Sequence, residues 1–408
     1  MPTRPVRQLI ALWLGWLVIL LGFQWVSTRR LGDVARPDYA VSWSAAETRP
    51  RANTGKVYLE NPFLNRQLAW DSEYYLSIAV GGYDDPAAER SRDPATGITW
   101  SRNYNFFPAY PYLMRAVAAP LALLGLAPID RAALAGVLLS LLGTLAGMLA
   151  LRDMTRAYLD DQDALRAAFY LLVFPSAVFL AQVYSEGLFI GLAFWSLALS
   201  RRGKWLGAGL LAALAAWTRA HGGLLVIPLG VAWLQTLDRK RLHTAFSAAS
   251  LAQAVSALLP LAAHVAWRTS NLGHGWAALQ SFYYVRGVLT VQSSLDSWLQ
   301  GYRYATTVGA GMVYFALEVV SVIAALLCSV ALLRKDPPVA SFSLAVVVFS
   351  ALSGSAQGQA RYMLVAPALF IVLAMLGRST LFDRVWTMAS VLMMGLSALL
   401  FSFDMWVG

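Results

Sequence analysis

The stretch Leu9-Ile-Ala-Leu-Trp-Leu-Gly-Trp-Leu-Val-Ile-Leu-Leu-Gly-Phe-Gln-Trp-Val26 indicates the class of fold, because no charged residue interrupts it. A helix needs about 20 predominantly apolar residues to cross the hydrocarbon core of a bilayer. Arg4 and Arg7 precede the run, and it contains no small-residue cleavage pattern. We therefore expect a retained first membrane span with its N-terminus in the cytoplasm.

The composition of the whole chain is typical of a membrane protein. Of the 408 residues, 58% are hydrophobic and only 13% are charged, whereas soluble domains contain about 25% charged residues. The formal net charge of +10 does not predict nucleic-acid binding, since membrane proteins use basic residues for topology and headgroup contacts. Cys328 is the single cysteine, which excludes a disulfide within the chain.

Ten further apolar runs of near-spanning length follow the first one. They cover residues 132–151, 166–182, 185–200, 205–219, 222–237, 245–267, 306–333, 339–355, 362–377 and 385–403. If the run 132–151 returns the chain to the cytoplasm, five short loops rich in arginine and lysine all face the cytoplasm, as the positive-inside rule requires. The prediction is an all-α polytopic membrane protein with about eleven transmembrane helices and an outward C-terminus.

One apolar run, residues 106–126, does not fit as a span. It contains three prolines and Arg115, and a full crossing would invert the orientation of every later loop. We expect an interfacial or re-entrant helix there. The organisation is then one integral domain over residues 1–408, with a first extracytoplasmic loop over 27–130 and a second large one over 268–305.

The polar segment Leu68-Ala-Trp-Asp-Ser-Glu-Tyr-Tyr-Leu-Ser-Ile-Ala79 places two carboxylates among aromatic residues in the first outer loop. Asp71 lies at the expected start of a helix, where it either accepts hydrogen bonds from backbone N–H groups as an N-cap or acts as a general base. Glu73 is two residues further on and does not share a helix face with Asp71, so we expect a supporting or solvent-facing role for it.

Other polar residues gather on the same predicted face. Glu186 follows a span directly, and is either part of a helix N-terminus capped by Ser185 or a functional carboxylate, because ionisable groups near membrane depth are costly. Arg219, with His221 two residues later, and Arg361 lie in two further outer turns. Each arginine either binds a phosphate through its forked donors or contacts lipid headgroups.

Several classes of enzyme lack any sequence support. The chain has no phosphate-cradling glycine-rich motif, no HExxH motif and no GxSxG motif, which argues against nucleotide-driven and common hydrolase chemistries. It also shows no fixed-period or inverted repeat of the kind that many transporters contain.

Short motifs along the chain resemble one known family when they are taken together in order. They are Trp70-Asp-Ser-Glu-Tyr-Tyr-Leu76, Gly82-Tyr83, Phe106-Phe-Pro-Ala-Tyr-Pro111, Phe174-Pro175, Tyr184-Ser-Glu-Gly-Leu-Phe189, Thr218-Arg219 and Arg361-Tyr362. Over roughly residues 1–380 the chain resembles the PIG-V-like mannosyltransferases, which belong to the GT-C superfamily of polyprenol-phosphate-sugar-dependent glycosyltransferases. The Ala-, Leu- and Arg-rich composition without long loops suggests a prokaryotic member.

The resemblance implies that mannose moves from polyprenyl-phosphate mannose, a dolichyl-type donor, to an acceptor hydroxyl on the extracytoplasmic face of the plasma membrane, with inversion at the anomeric carbon. The acceptor is a glycolipid, a glycan or a protein. The acidic position of the family's first loop corresponds to Asp71 as the general base. The expected substrate-binding residues are Glu186, Arg219, His221, Arg361, Tyr184, Trp70, Tyr75 and His274.

No cofactor is required by this chemistry, since a phosphate leaving group needs positive charge more than a proton, and arginine supplies it. Asp71 together with Glu186 is nevertheless a possible divalent-metal pair. Two alternatives stay open at the level of the sequence. One is a transporter or flippase of a lipid-linked sugar, and the other is an assembly subunit without activity.

Overall fold

The computed structural model describes residues 4–31, 59, 61–237, 246–307 and 309–407. Within these ranges the chain forms a bundle of α-helices, which confirms the predicted all-α polytopic membrane fold. The helices are α1 (Arg4–Leu31), α2 (Pro62–Asn65), α3 (Asp71–Gly81), α4 (Ala109–Ala118), α5 (Pro128–Thr155), α6 (Asp161–Val173), α7 (Glu186–Arg201), α8 (Trp205–Ala216), α9 (Val226–Thr236), α10 (Ala248–Arg268), α11 (Asn271–Phe282), α12 (Val291–Thr307), α13 (Gly309–Leu332), α14 (Pro337–Ala351), α15 (Gln359–Met363), α16 (Pro367–Leu376) and α17 (Thr380–Ser402).

Non-helical and tightly wound segments are short. One antiparallel ribbon pairs β1 (Arg90–Arg92) with β2 (Thr99–Ser101), in the register Arg90 to Ser101. Four 3-10 turns complete the description of regular structure. They are Arg102–Asn105, Pro120–Leu124, Ala177–Leu180 and Ala220–Leu225.

Each of the eleven predicted apolar runs contains a helix, but the helices differ in length. By length and composition, five of the described helices could cross a membrane: α1, α5, α10, α13 and α17. The run 166–182 is interrupted, because α6 ends at Val173 and Phe174 adopts an extended ψ of 144° before Pro175. The helical conformation is unfavourable for a residue that precedes proline, because the proline ring clashes with it.

The run 106–126 does not form one continuous helix. It folds as α4, followed by the 3-10 turn Pro120–Leu124, and ends at Gly125 in the left-handed conformation with φ of 68°. The missing N–H of Pro120 and the turn at Gly125 break the helix well short of a membrane thickness. The segment packs against α3 and α5 beside the site described below.

Small residues bring α5 and α7 into close contact. A Cβ atom added at Gly187 would lie 2.2 Å from the carbonyl oxygen of Ser140, and one added at Gly143 would lie 2.5 Å from the carbonyl oxygen of Gly187. Membrane helices approach closely where glycine replaces larger residues. This crossing places Glu186, the first residue of α7, at the edge of the helix bundle's interior.

We expect Gly187→Ala to destabilise the protein by about 1–3 kcal/mol, because the added methyl group overpacks the contact between α5 and α7. The measurement is the unfolding midpoint in detergent. Gly15→Ala is the matched control, since a Cβ atom at Gly15 meets no atom of the described residues within 4 Å. Equal midpoints for the two variants would contradict the conclusion that the contact between α5 and α7 contributes to stability.

Candidate functional site

A cavity of about 590 Å³ lies where the first loop, the turn before α9, the loop after α11 and the loop before α15 meet. Six of the predicted site residues line this cavity. They are Trp70, Asp71, Tyr75, Arg219, His221 and Arg361. Glu186 and Tyr184 are buried behind this wall.

Asp71 begins α3 and turns its carboxylate towards Arg361 instead of capping the helix. Trp70 occupies the N-cap position with a φ of 53° and makes no side-chain cap hydrogen bond. Arg361 donates from Nη1 to Asp71 Oδ2 at 2.8 Å, and about a third of the Asp71 side chain is exposed. The N-cap interpretation of Asp71 is therefore wrong, and the carboxylate is accessible from the cavity.

Glu186 is completely buried and relies on arginine for charge balance. Its Oε1 atom lies 2.5 Å from Nη1 of Arg219 and 3.4 Å from Nε of Arg361. Neither carboxylate oxygen makes a hydrogen bond among the described residues, so these contacts are ion pairs. Ser185 occupies the N-cap position of α7 but makes no side-chain cap hydrogen bond. An unpaired carboxylate would be very costly at this depth, and the two guanidinium groups offset that cost.

Arg361 connects two carboxylates that are far apart in the chain. It contacts Asp71 and Glu186, and only 10% of its side chain is exposed. Three aromatic rings surround its guanidinium carbon, at centroid distances of 5.2 Å for Phe179 and 5.4 Å for Tyr184 and Tyr362. The rings favour a cation at this point through their negative faces and limit its freedom to reorient.

Hydroxyl groups link the remaining members of the cluster. Arg219 donates from Nη1 to Ser185 Oγ at 3.1 Å, and the same oxygen lies 3.1 Å from the phenol of Tyr75. Burial, followed by the nearby charge of Asp71, raises the pKa of Tyr75. Tyr75 therefore acts in the neutral form, as a hydrogen-bonding group rather than an anion.

Tyr184 supports the site without lining the cavity. Its hydroxyl donates to the carbonyl oxygen of Ala69 at 3.0 Å and accepts the backbone N–H of Asp71 at 3.2 Å. Tyr184 thus holds the turn that precedes α3.

His221 does line the cavity: Nε2 lies 2.9 Å from Ser350 Oγ, while Nδ1 has no hydrogen-bond partner among the described residues.

The structure bears on two expectations about individual residues. His274 is exposed on α11 and does not line the cavity, whereas Trp276 and Gln280 do. The reason is helical phase, since positions four apart share a face and a position two residues away does not. Glu73, expected to support or to face solvent, lines the same cavity as Asp71.

Arg286 and Tyr362 are site residues that sequence reasoning did not select. Arg286 donates to the phenol of Tyr362 at 3.1 Å and to Ser355 Oγ at 3.3 Å. The guanidinium carbons of Arg361 and Arg219 lie 5.4 Å and 5.7 Å from the centroid of the Tyr362 ring. The cluster is thus strongly electropositive around this phenol. The Arg361-Tyr362 motif was a signal for Tyr362 in the sequence. It gave no signal for Arg286, because Arg286 lies in a distant part of the chain.

The C-terminal segment forms another wall that the sequence did not predict. Trp406 lines the cavity and packs edge-to-face on Trp70, with centroids 5.0 Å apart. Its indole nitrogen donates to the hydroxyl of Tyr314 at 2.8 Å.

As for metals, the described residues contain no group of three or more His, Cys, Asp or Glu side chains arranged to hold one.

A model of the family described as Mannosyltransferase (PIG-V) matches residues 38–379. The chain belongs to this family. The resemblance predicted from the ordered motifs is thereby confirmed, and the match covers most of the described helical bundle.

Curated relatives carry the name GPI alpha-1,6-mannosyltransferase 2. The mouse protein is 35% identical over 156 residues, which cover 38% of this chain and 29% of the relative. The human protein is 27% identical over 249 residues, covering 58% of this chain and 45% of the relative. The chain thus aligns with less than half of the length of these two relatives.

Two solved structures are also similar to this chain at low sequence identity. ArnT from Cupriavidus metallidurans, bound to undecaprenyl phosphate, has a TM-score of 0.44 and 14% identity, and the match covers 83% of this chain and 72% of that chain. The Archaeoglobus fulgidus oligosaccharyltransferase, in complex with zinc and sulfate, has a TM-score of 0.41 and 18% identity, covering 81% and 48%.

We expect Glu186→Gln to destabilise the protein by about 3 kcal/mol or more, because it leaves two largely buried guanidinium groups without their shared carboxylate. The measurement is the unfolding midpoint in detergent. Asp153→Asn is the matched control: it removes the carboxylate of a more exposed pair with Arg202, and should cost less than about 1 kcal/mol. A smaller effect at Glu186 than at Asp153 would contradict the described charge balance.

Proposed function

We propose that this protein is an inverting mannosyltransferase that uses polyprenyl-phosphate mannose as donor and a hydroxyl group of a glycolipid, glycan or protein as acceptor. Family membership supports the sugar and the reaction class. The observation that carries the proposal is Arg361, which lies at the cavity wall in contact with both Asp71 and Glu186. This arrangement supplies one accessible carboxylate and a cluster of cations at the same place.

In this proposal Asp71 is the general base. The acceptor oxygen forms a bond to the anomeric carbon while its proton moves to the Asp71 carboxylate. The bond between the anomeric carbon and the phosphate oxygen breaks, and its electron pair leaves with polyprenyl phosphate. A single displacement of this kind inverts the anomeric configuration and needs only one carboxylate in contact with the acceptor.

The leaving phosphate gains negative charge, and the arginine side chains of the cavity stabilise it. Arg219, Arg286 and Arg361 all line the cavity. Preorganised cations aimed at a developing charge lower the barrier most in a water-poor site. A donor phosphate that binds Arg361 would compete with Asp71 for the guanidinium group, which frees the Asp71 carboxylate to accept a proton once the donor is present.

The walls of the cavity suit a sugar joined to a lipid. Trp70, Tyr74, Phe107 and Trp406 contribute aromatic surface beside the charged cluster. Ligand sites commonly combine aromatic walls with a few polar groups that set orientation. The apolar faces of a sugar ring can pack against these aromatic side chains while the phosphate contacts arginine.

The distribution of basic residues supports an extracytoplasmic site. Glu186 begins α7 at the cavity, whereas Arg201 ends the same helix. A helix of this length separates its ends by about 22 Å, at a rise of about 1.5 Å per residue. Arg201 donates to the carbonyl oxygen of Met154, near the C-terminal end of α5, and Arg202 and Lys204 follow in the short loop at that end of α7. The positive-inside rule assigns that basic end to the cytoplasm.

We expect Asp71→Asn to lower sugar transfer by about 100- to 10,000-fold, the range for loss of a general base. Membranes are incubated with labelled polyprenyl-phosphate mannose and candidate acceptors, and the new glycoside is detected by mass spectrometry. Asp130→Asn is the control, because Asp130 does not line the cavity; it should retain full transfer.

Normal transfer by Asp71→Asn would overturn the assignment of the base. Movement of the label between leaflets without any new glycoside, by the unsubstituted protein, would instead support a flippase and overturn the proposed enzyme. Donor binding measured on Asp71→Asn separates loss of chemistry from loss of the fold, since we expect binding to persist.

A further inference from the structure

Glu318 is a carboxylate inside the membrane-spanning helix α13, and its side chain is completely buried. Ionisable groups at membrane depth are costly and are retained with specific partners. Oε1 of Glu318 accepts the backbone N–H of Gly358 at 2.7 Å, and Oε2 accepts that of Ala360 at 2.5 Å. The carboxylate therefore binds the turn that directly precedes Arg361.

The turn before Arg361 is short and begins in an unusual backbone conformation. Gly358 has a φ of 74°, which residues with a Cβ atom rarely adopt, and α15 contains only five residues. The first N–H groups of a helix have no partner within the helix. Glu318 supplies acceptors for two backbone N–H groups at this helix start. A carboxylate from another helix thus binds the backbone directly before Arg361.

Through Tyr314, the same carboxylate is also connected to Trp406 in the cavity wall. The hydroxyl of Tyr314 donates to Glu318 Oε1 at 2.5 Å and accepts the indole N–H of Trp406 at 2.8 Å. Trp406 packs on Trp70, the residue before Asp71. One buried group therefore connects the Arg361 turn with the aromatic wall beside the carboxylate of Asp71.

We infer that Glu318 is a positioning residue, which orients Arg361 towards the donor phosphate and Asp71 by fixing the turn at residues 358–360. The inference rests on the proposed function. Glu318 makes no contact with the substrates in this assignment. Its effect on donor binding must therefore pass through Arg361, and this requirement makes the inference testable.

The test is a double-mutant cycle on the full chain in detergent, with the dissociation constant of undecaprenyl phosphate as the readout. The four proteins are the unsubstituted chain, Glu318→Gln, Arg361→Ala and the double variant. Glutamine keeps the size of glutamate, but its amide group places N–H donors beside a backbone N–H. We expect Glu318→Gln to weaken binding about 10-fold in the unsubstituted background, and less than about 2-fold when Arg361 is already alanine.

Equal weakening in both backgrounds would overturn the inference, because it would show that Glu318 acts on the fold in general. Unchanged binding by a folded Glu318→Gln would overturn it as well. Ser329→Ala is the matched control: Ser329 is buried in the same helix and its hydroxyl donates to the carbonyl oxygen of Ala325. Its binding should equal that of the unsubstituted chain.

Glu318→Asp provides the second variant, because it keeps both acceptor oxygens on a shorter side chain. We expect it to bind undecaprenyl phosphate within about 3-fold of the unsubstituted chain. If Glu318→Gln does not fold, a cycle with Glu318→Ala replaces it under the same criterion. Failure of the unsubstituted chain to bind undecaprenyl phosphate would count against the proposed function itself, whereas normal binding with an additive cycle counts only against Glu318.

Discussion

The ion pairs of Arg361 with Asp71 and Glu186 are the interaction on which the candidate site depends. A carboxylate as deeply buried as Glu186 is stable only with a cationic partner, because little water reaches it. The Asp71 carboxylate, by contrast, is partly exposed to the cavity. The guanidinium group of Arg361 therefore pairs with both the buried carboxylate of Glu186 and the accessible carboxylate of Asp71. Any rearrangement of Arg361 changes both pairs.

Helix packing brings these charges together. The glycine contact between α5 and α7 determines where Glu186 enters the bundle, and the hydroxyl of Tyr184 holds the turn before Asp71. Glu318 fixes the short helix that contains Arg361. Chemistry and folding are thus connected here, since the same buried polar groups satisfy the backbone and orient the charged side chains.

Local patterns in the sequence predicted part of this site. Hydrophobic runs and basic loops placed Asp71, Glu186, Arg219 and Arg361 on one face, and the structure groups these four residues in one cluster. The sequence was a poorer guide to residues whose roles depend on the direction of the side chain. His274 was selected for its position in an outer loop, but the phase of α11 turns it away from the cavity.

The sequence by itself determined the membrane class, the approximate helix positions and the family, because hydropathy, charge bias and motif order are properties of the linear chain. Only the tertiary structure decided that Asp71 pairs with Arg361 rather than capping α3, and that Trp406 lines the cavity. It also revealed Glu318, a single carboxylate within an apolar run. The physical reason is that partners of buried charges come from distant segments, and no local pattern specifies which segments meet.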